Sequence, residues 1–148
     1  MKKLNLYSFF ILNLFFMLFI TTNLNAQRWV SKKVEKRKVV LEEFTGFHCG
    51  YCPDGHRIAN ALKKNRPDDI FLVNIHSGPF SSPGANELDF RVNDGIELDK
   101  YMGASSYPTA AVNREIVKNG DNYIWLFGRG NWEYLSNLIL NETNFFYN

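Results

Sequence analysis

The sequence predicts an α/β domain that opens with a strand, a helix and a second strand. Three observations carry this. Val39-Val40-Leu41-Glu42-Glu43-Phe44 is short, apolar and β-branched; an apolar stripe at helical spacing follows a turn; and Ile70-Phe71-Leu72-Val73-Asn74-Ile75-His76 is apolar nearly throughout. A chain of 148 residues, 45% hydrophobic and 16% aromatic, amounts to one domain and can bury one core.

Ahead of the first strand, Met1-Lys2-Lys3 is basic, residues 4–20 are mostly apolar, and a short polar stretch ends at Ala26. That order predicts a secretory signal over residues 1–26, cleaved after Ala26. A spanning helix needs about 20 apolar residues, whereas this run is shorter and is interrupted by Ser8 and Asn13. No cysteine follows the cut, which argues against a lipid-anchored N-terminus. Loss of Lys2 and Lys3 leaves 15 basic against 15 acidic residues. A near-neutral chain gives no reason to expect nucleic acid as a partner. The basic cluster of Arg28, Lys32, Lys33, Lys36, Arg37 and Lys38 reads as a solvated leader over residues 27–37, running into a domain at residues 38–141 and a tail at 142–148.

The first strand ends in the turn Thr45-Gly46-Phe47-His48. A helical pattern runs from Cys49 onward, with Ile58, Ala59, Ala61 and Leu62 on one face, Lys63, Lys64 and Arg66 in the last turn, and Pro67 beyond. Pro53 falls early enough to be tolerated. The apolar second strand suits a parallel sheet covered on both faces. Residues 77–86, rich in Ser, Gly and Pro, form a loop, and a weaker helix runs through Leu88, Phe90, Val92, Ile96, Leu98 and Tyr101 to Gly103. Ser106-Tyr107-Pro108-Thr109 leads into a third strand, Ala110-Ala111-Val112-Asn113. Residues 123–127 suggest a fourth, and residues 132–140 a closing amphipathic helix. Trp125, Phe127, Trp132 and Tyr134 fit a core better than a docking surface.

The chain has two cysteines, Cys49 and Cys52. An oxidising compartment allows them to pair, yet a loop this short adds only about 2 kcal/mol in the chain-entropy model. A structural staple therefore explains them poorly. At the junction of a strand and a helix, unpaired amides and the positive dipole end favour thiolate at Cys49. Cys52, three residues on, lies on roughly the same side and is placed to resolve a mixed disulfide. Such exchange needs an exposed nucleophile and a sheltered resolver. Glu43, near the strand's end, is the candidate proton carrier if it points inward; its neighbour Glu42 then points outward. His48 beside Cys49 would stabilise the thiolate when protonated. His76, at the carboxyl end of the second strand, should face the active edge of the sheet and a substrate there. His56 reads as helix surface.

Val40 to Cys52, the following helix, and Tyr107-Pro108-Thr109 before a strand together resemble the thioredoxin superfamily, over about residues 38–140. The resemblance implies a central mixed sheet flanked by helices. It also implies a cis Pro108 against the disulfide, with Tyr107 pairing its backbone to a substrate strand. The dipeptide Gly50-Tyr51 looks like that of periplasmic disulfide isomerases and would tune the redox pair. Thr45-Gly46 and His48 depart from the usual tryptophan-bearing surroundings, and the connection at residues 77–95 is enlarged. More narrowly, Leu41-Glu42-Glu43-Phe44-Thr45-Gly46, Cys-x-x-Cys-Pro, His76-Ser77-Gly78 and Val112-Asn113-Arg114 look like exported Gram-negative proteins described as outer-membrane-protein-related. That likeness implies the periplasm or the periphery of the outer membrane. The redox reading expects cysteine-containing envelope proteins and a redox recycling partner, and it requires no prosthetic group.

Two other readings stay open at this level. His48, Cys49, Cys52 and His56, with His76 remote, could bind copper or zinc and deliver it, and the fold could serve as a non-catalytic platform. Covalent haem is excluded, because Pro53 stands where that attachment needs His.

Overall fold

The computed structural model describes residues 36–119 and 121–141, together with Tyr7, Phe10, Ile11, Asn13, Leu14 and Phe15. The chain divides into two compact units, Met1–Lys33 and Val34–Asn148. In the first, the six described residues are helical and exposed. The signal cleavage expected after Ala26, most of the leader and the tail at 142–148 lie outside the described residues. Among the described residues no helix is long and apolar enough to cross a membrane.

The second unit is built on β1 (Val39–Thr45), α1 (Cys52–Asn65), β2 (Ile70–His76), α2 (Asn93–Met102), β3 (Thr109–Val112), β4 (Val117–Asn119), β5 (Asn122–Ile124), β6 (Phe127–Gly128) and α3 (Trp132–Asn141). The main sheet runs β2-β1-β3-β6, and β4 and β5 form a separate hairpin. β1 pairs with β2 in parallel, from Val39↔Ile70 to Thr45↔His76. It pairs with β3 antiparallel, from Leu41↔Val112 to Phe44↔Thr109, and β3 pairs antiparallel with β6. This is the mixed sheet with flanking helices that the resemblance implies.

Alternation along β1 divides the core in two. Val39 and Leu41 join Ala59 and Leu62 of α1 and Trp132, Leu135 and Ile139 of α3 on one face. Phe44, Ile75 and Ala111 pack with Met102 of α2 on the other. Glu43 shares the parity of Val39 and Leu41, so its carboxyl enters an otherwise apolar face. α1 buries Cys52, Gly55, Ala59 and Leu62, a stripe at three- and four-residue spacing. Ala61, expected on that stripe, is exposed. Phe127 and Trp132 are core and Trp125 is half-buried, while Tyr134 is exposed.

Four expectations need correction. α1 starts at Cys52 and not at Cys49, because residues 49–51 form a turn: the Cys49 N–H donates to the Gly46 carbonyl at 3.1 Å and the Cys52 N–H to the Cys49 carbonyl at 3.3 Å. α2 starts at Asn93, and Leu88, Phe90 and Val92 are exposed outside it. Asn86 has a φ of 69°, and the Asp89 carboxylate accepts the Arg91 N–H at 3.0 Å, a local bond that competes with helix. The strand expected at 123–127 is split between β5 and β6, with the Trp125 indole donating to the Met102 carbonyl at 2.8 Å in the gap. Finally, two members of the solvated basic cluster are engaged: Arg37 pairs with Glu115, and Lys38 reaches Asp69 at 2.6 Å.

Candidate active site

The carboxyl ends of β1 and β2, the first turn of α1 and the segment before β3 meet at one edge of the sheet. Cys49 and Cys52 are joined there in a disulfide, with their Cα atoms 5.3 Å apart. The turn that carries Cys49 is held from below. The His48 N–H donates to the Phe80 carbonyl at 2.9 Å, and a Cβ on Gly46 would lie 2.4 Å from the Phe80 backbone. Only glycine allows that approach, so Gly46 docks the cysteine turn on the Pro79–Ser81 turn.

The expected exposed nucleophile is corrected for the oxidised state: Cys49 is 6% exposed and Cys52 1%. The sulfur of Cys49 is covered because it is bonded to its neighbour within a turn that is itself docked. Of the two, Cys49 is the less deeply buried. Gly50 is exposed with open space around it, and Tyr51 is exposed. The Arg129 guanidinium lies 5.4 Å from the Tyr51 ring centroid and donates through Nε to Asp54 at 2.7 Å. Arg57, then Arg129, hold the Asp54 carboxyl below the usual carboxylate range. Neither Asp54 nor Arg129 is evident from sequence, because β6 must first bring Arg129 to the start of α1.

Glu43 points inward and is fully buried, while Glu42, on the other face, takes a bidentate pair from Arg114 at 2.6 and 2.7 Å. Both carboxyl oxygens of Glu43 are buried without an aligned hydrogen-bond partner among the described residues. Burial pushes its pKa up to about 7. A Cβ on Gly55 would lie 2.7 Å from Glu43 Oε1 and 2.7 Å from Pro108 Cγ. Gly55 is one turn beyond Cys52, so the carboxyl and the proline both abut the helix turn that carries Cys52.

The Tyr107–Pro108 peptide is cis and Pro108 is buried, as the resemblance implies. The β1–β3 ladder stops at Phe44↔Thr109, which leaves the main chain at Tyr107 beyond the paired stretch. The Tyr107 side chain is anchored: its hydroxyl donates to Asp99 Oδ2 at 2.6 Å and its ring meets Phe80 edge-on at 6.0 Å. Burial, with Asp99 beside it, raises the phenol well above its ordinary value.

The histidines are sorted differently from expectation. His48 Nε2 is 2.8 Å from Glu87 Oε2, which ties the cysteine turn to the 82–92 segment. His76 is half-buried, its ring 5.3 Å from Phe90 and its Nδ1 buried without a partner. His56 is not plain helix surface. Its Nδ1 is 3.3 Å from Glu43 Oε2, within ion-pair reach though not aligned as a hydrogen bond, and its Nε2 is 3.2 Å from Thr45 Oγ1. His56 is four residues past Cys52, and spacing along the helix does not tell that its ring meets a carboxyl from β1. Among the described residues no group of three or more His, Cys, Asp or Glu side chains is placed to hold a metal. Phe47, stacked at 6.2 Å on Phe90, gives the site an exposed aromatic rim.

No family model matches the chain. No curated protein matches it either. Among solved structures, the germline-specific thioredoxin Deadhead of Drosophila melanogaster is similar over 68% of this chain and 77% of its own, at 16% identity and a TM-score of 0.41.

Proposed function

We propose that the protein is an exported thiol-disulfide oxidoreductase acting on cysteine-containing envelope proteins. The observation that carries the reading is a short-range disulfide at the start of a helix, beside a buried carboxyl that has no aligned hydrogen-bond partner among the described residues and whose pKa burial pushes up to about 7. A staple has no use for such a carboxyl; a resolving thiol does.

In the reduced protein, the Cys49 thiolate attacks one sulfur of a partner disulfide and expels a partner thiolate, forming a mixed disulfide. Cys52 gives its proton to Glu43 and attacks Cys49 Sγ. The Cys49–Cys52 bond forms, the second partner thiolate leaves, and two electrons have passed to the partner. Run backwards, the same steps deliver a disulfide. The main chain at Tyr107 offers unpaired groups to an extended partner segment, and the aromatic rim of Phe47 and Phe90 suits its apolar side chains. The basic, then apolar, then polar N-terminus supports the export part of the reading and the periplasm or outer-membrane periphery as its site.

Trapping tests it. Cys52→Ala, reduced and mixed with envelope extract, is expected to accumulate mixed disulfides through Cys49 that dithiothreitol releases. Absence of such adducts, with Cys49 still free, would contradict the assignment. The reduction potential then decides between oxidant and reductant.

A further inference from the structure

β2, expected to be covered on both faces, is an edge strand of the main sheet. It pairs with β1 in unbroken register from Ile70 to His76, and among the described residues no strand pairs with its other side. Free edges are usually blunted by Lys, Pro, a bulge or an inward charge. This one has none of them: between Ile70 and His76 there is no Lys, Arg, Asp, Glu or Pro. Phe71 and Val73, which share a face of the sheet, are 47% and 44% exposed. Ile75 has the same parity and is buried by α2, where a Cβ on Gly95 would lie 3.0 Å from Ile75 Cγ2.

The main-chain bonds say which groups point outward. The Asp69 carbonyl accepts the Val39 N–H at 2.8 Å, and the Ser77 N–H donates to the Thr45 carbonyl at 3.1 Å. Residues of a strand turn alternately to its two sides, so the odd-numbered residues of β2 face β1 and Ile70, Leu72 and Asn74 face outward. The Ile70 N–H is taken by the Arg66 carbonyl at 3.1 Å. The Ile70 carbonyl and both main-chain groups of Leu72 and Asn74 are left for an added strand. An identical strand running antiparallel can bond to them only where even residues meet even residues. In one such register Leu72 lies opposite Leu72 of the second copy, Ile70 opposite Asn74, and Phe71 opposite Val73. It alone sets the two exposed apolar side chains against each other, and it does so twice, at the non-hydrogen-bonded positions where side chains come closest. The pattern is therefore its own complement under a two-fold axis, which selects a second copy as the occupant. We propose that the protein forms a symmetric dimer in which two β2 edges pair antiparallel about Leu72 and join two sheets into one. The disulfide ends of the two copies then point in opposite directions, and both stay open to a partner.

The test is sedimentation velocity of the full chain, as processed by the cell, over a dilution series, with amide hydrogen exchange measured alongside. A reversible dimer is expected, with the Leu72 and Asn74 amides protected as it forms and unprotected on dilution. Val73→Lys puts a charge opposite Phe71 of the second copy and should abolish the dimer at concentrations where the wild type is fully dimeric. Asn74→Pro should abolish it too, because it removes an outward N–H and leaves the ladder to β1 intact; Asn74→Ala should keep it. Tyr134→Lys, at an exposed aromatic of α3, should keep it as well. Far-UV circular dichroism checks that each variant is folded, and Val73→Lys carries the test if Asn74→Pro is not. A monomer at every concentration would overturn the proposal, as would a dimer that a folded Val73→Lys leaves intact. Leu72 and Asn74 amides protected equally in the monomer would show that another segment of the same chain covers the edge, which would overturn it as well.

Discussion

Glu43→Gln is expected to slow closure of the mixed disulfide about 10²-fold and, at the same time, to remove a pH-dependent loss of stability. The first effect follows from the proton that Cys52 must surrender before it can attack; glutamine keeps the shape and cannot take it. The second follows from burial. The folded-state pKa of Glu43 is about 7 against an ordinary 4.5. Below pH 4.5 the group is protonated in both folded and unfolded chains and makes no difference. Between pH 4.5 and 7 the folded protein keeps a proton that the unfolded chain has released, so rising pH favours unfolding. The gap corresponds to about 3 kcal/mol, fully expressed above pH 7. Urea unfolding from pH 4.5 to 8 should therefore show a decline in the wild type that Glu43→Gln lacks, with the variant the more stable at pH 8. Parallel curves for the two proteins would show that the carboxyl is not held protonated.

Cys49→Ser is expected to reduce exchange with a small disulfide to the uncatalysed background, whereas Cys52→Ser should still complete the first step and stop at the mixed disulfide. The asymmetry follows from access. Cys49 precedes the helix, beside the exposed Gly50 and Tyr51, and is the less buried of the pair, while Cys52 lies in the buried stripe of α1. An attacking thiolate approaches along the bond it breaks, so the accessible sulfur receives it. The fold should survive both changes, because a four-residue loop contributes only about 2 kcal/mol. Mass spectrometry of the glutathione adducts checks this: equal adduct formation on the two single mutants would contradict the assigned roles.

Much of this architecture was legible in the chain because its signals are local. β2 runs from Ile70 to His76 as read, since a short apolar run bounded by turn signals is written as a strand. The inward turn of Glu43 follows from its parity with Val39 and Leu41. The site was less legible where it depends on distant segments meeting. His56 read as surface because spacing along α1 tells which residues share a face, not that a carboxyl from β1 lies under it. The burial of Cys49 depends on Gly46 meeting the Phe80 backbone, which requires the Pro79–Ser81 turn to be in place. Leu88, Phe90 and Val92 suggested helix by periodicity, and local side-chain bonding at Asp89 prevailed there. Arg129 reaches Asp54 only once β6 has paired with β3.

Disulfide exchange requires Cys49 to become a reactive thiolate when the disulfide opens. The rate of its alkylation by iodoacetamide in reduced Cys52→Ala, followed against pH, measures that property directly. A midpoint clearly below the value of about 8.5 for free cysteine is predicted, from the helix start beside it. A midpoint at or above that value, or a sulfur that does not react in the folded protein, would contradict the account.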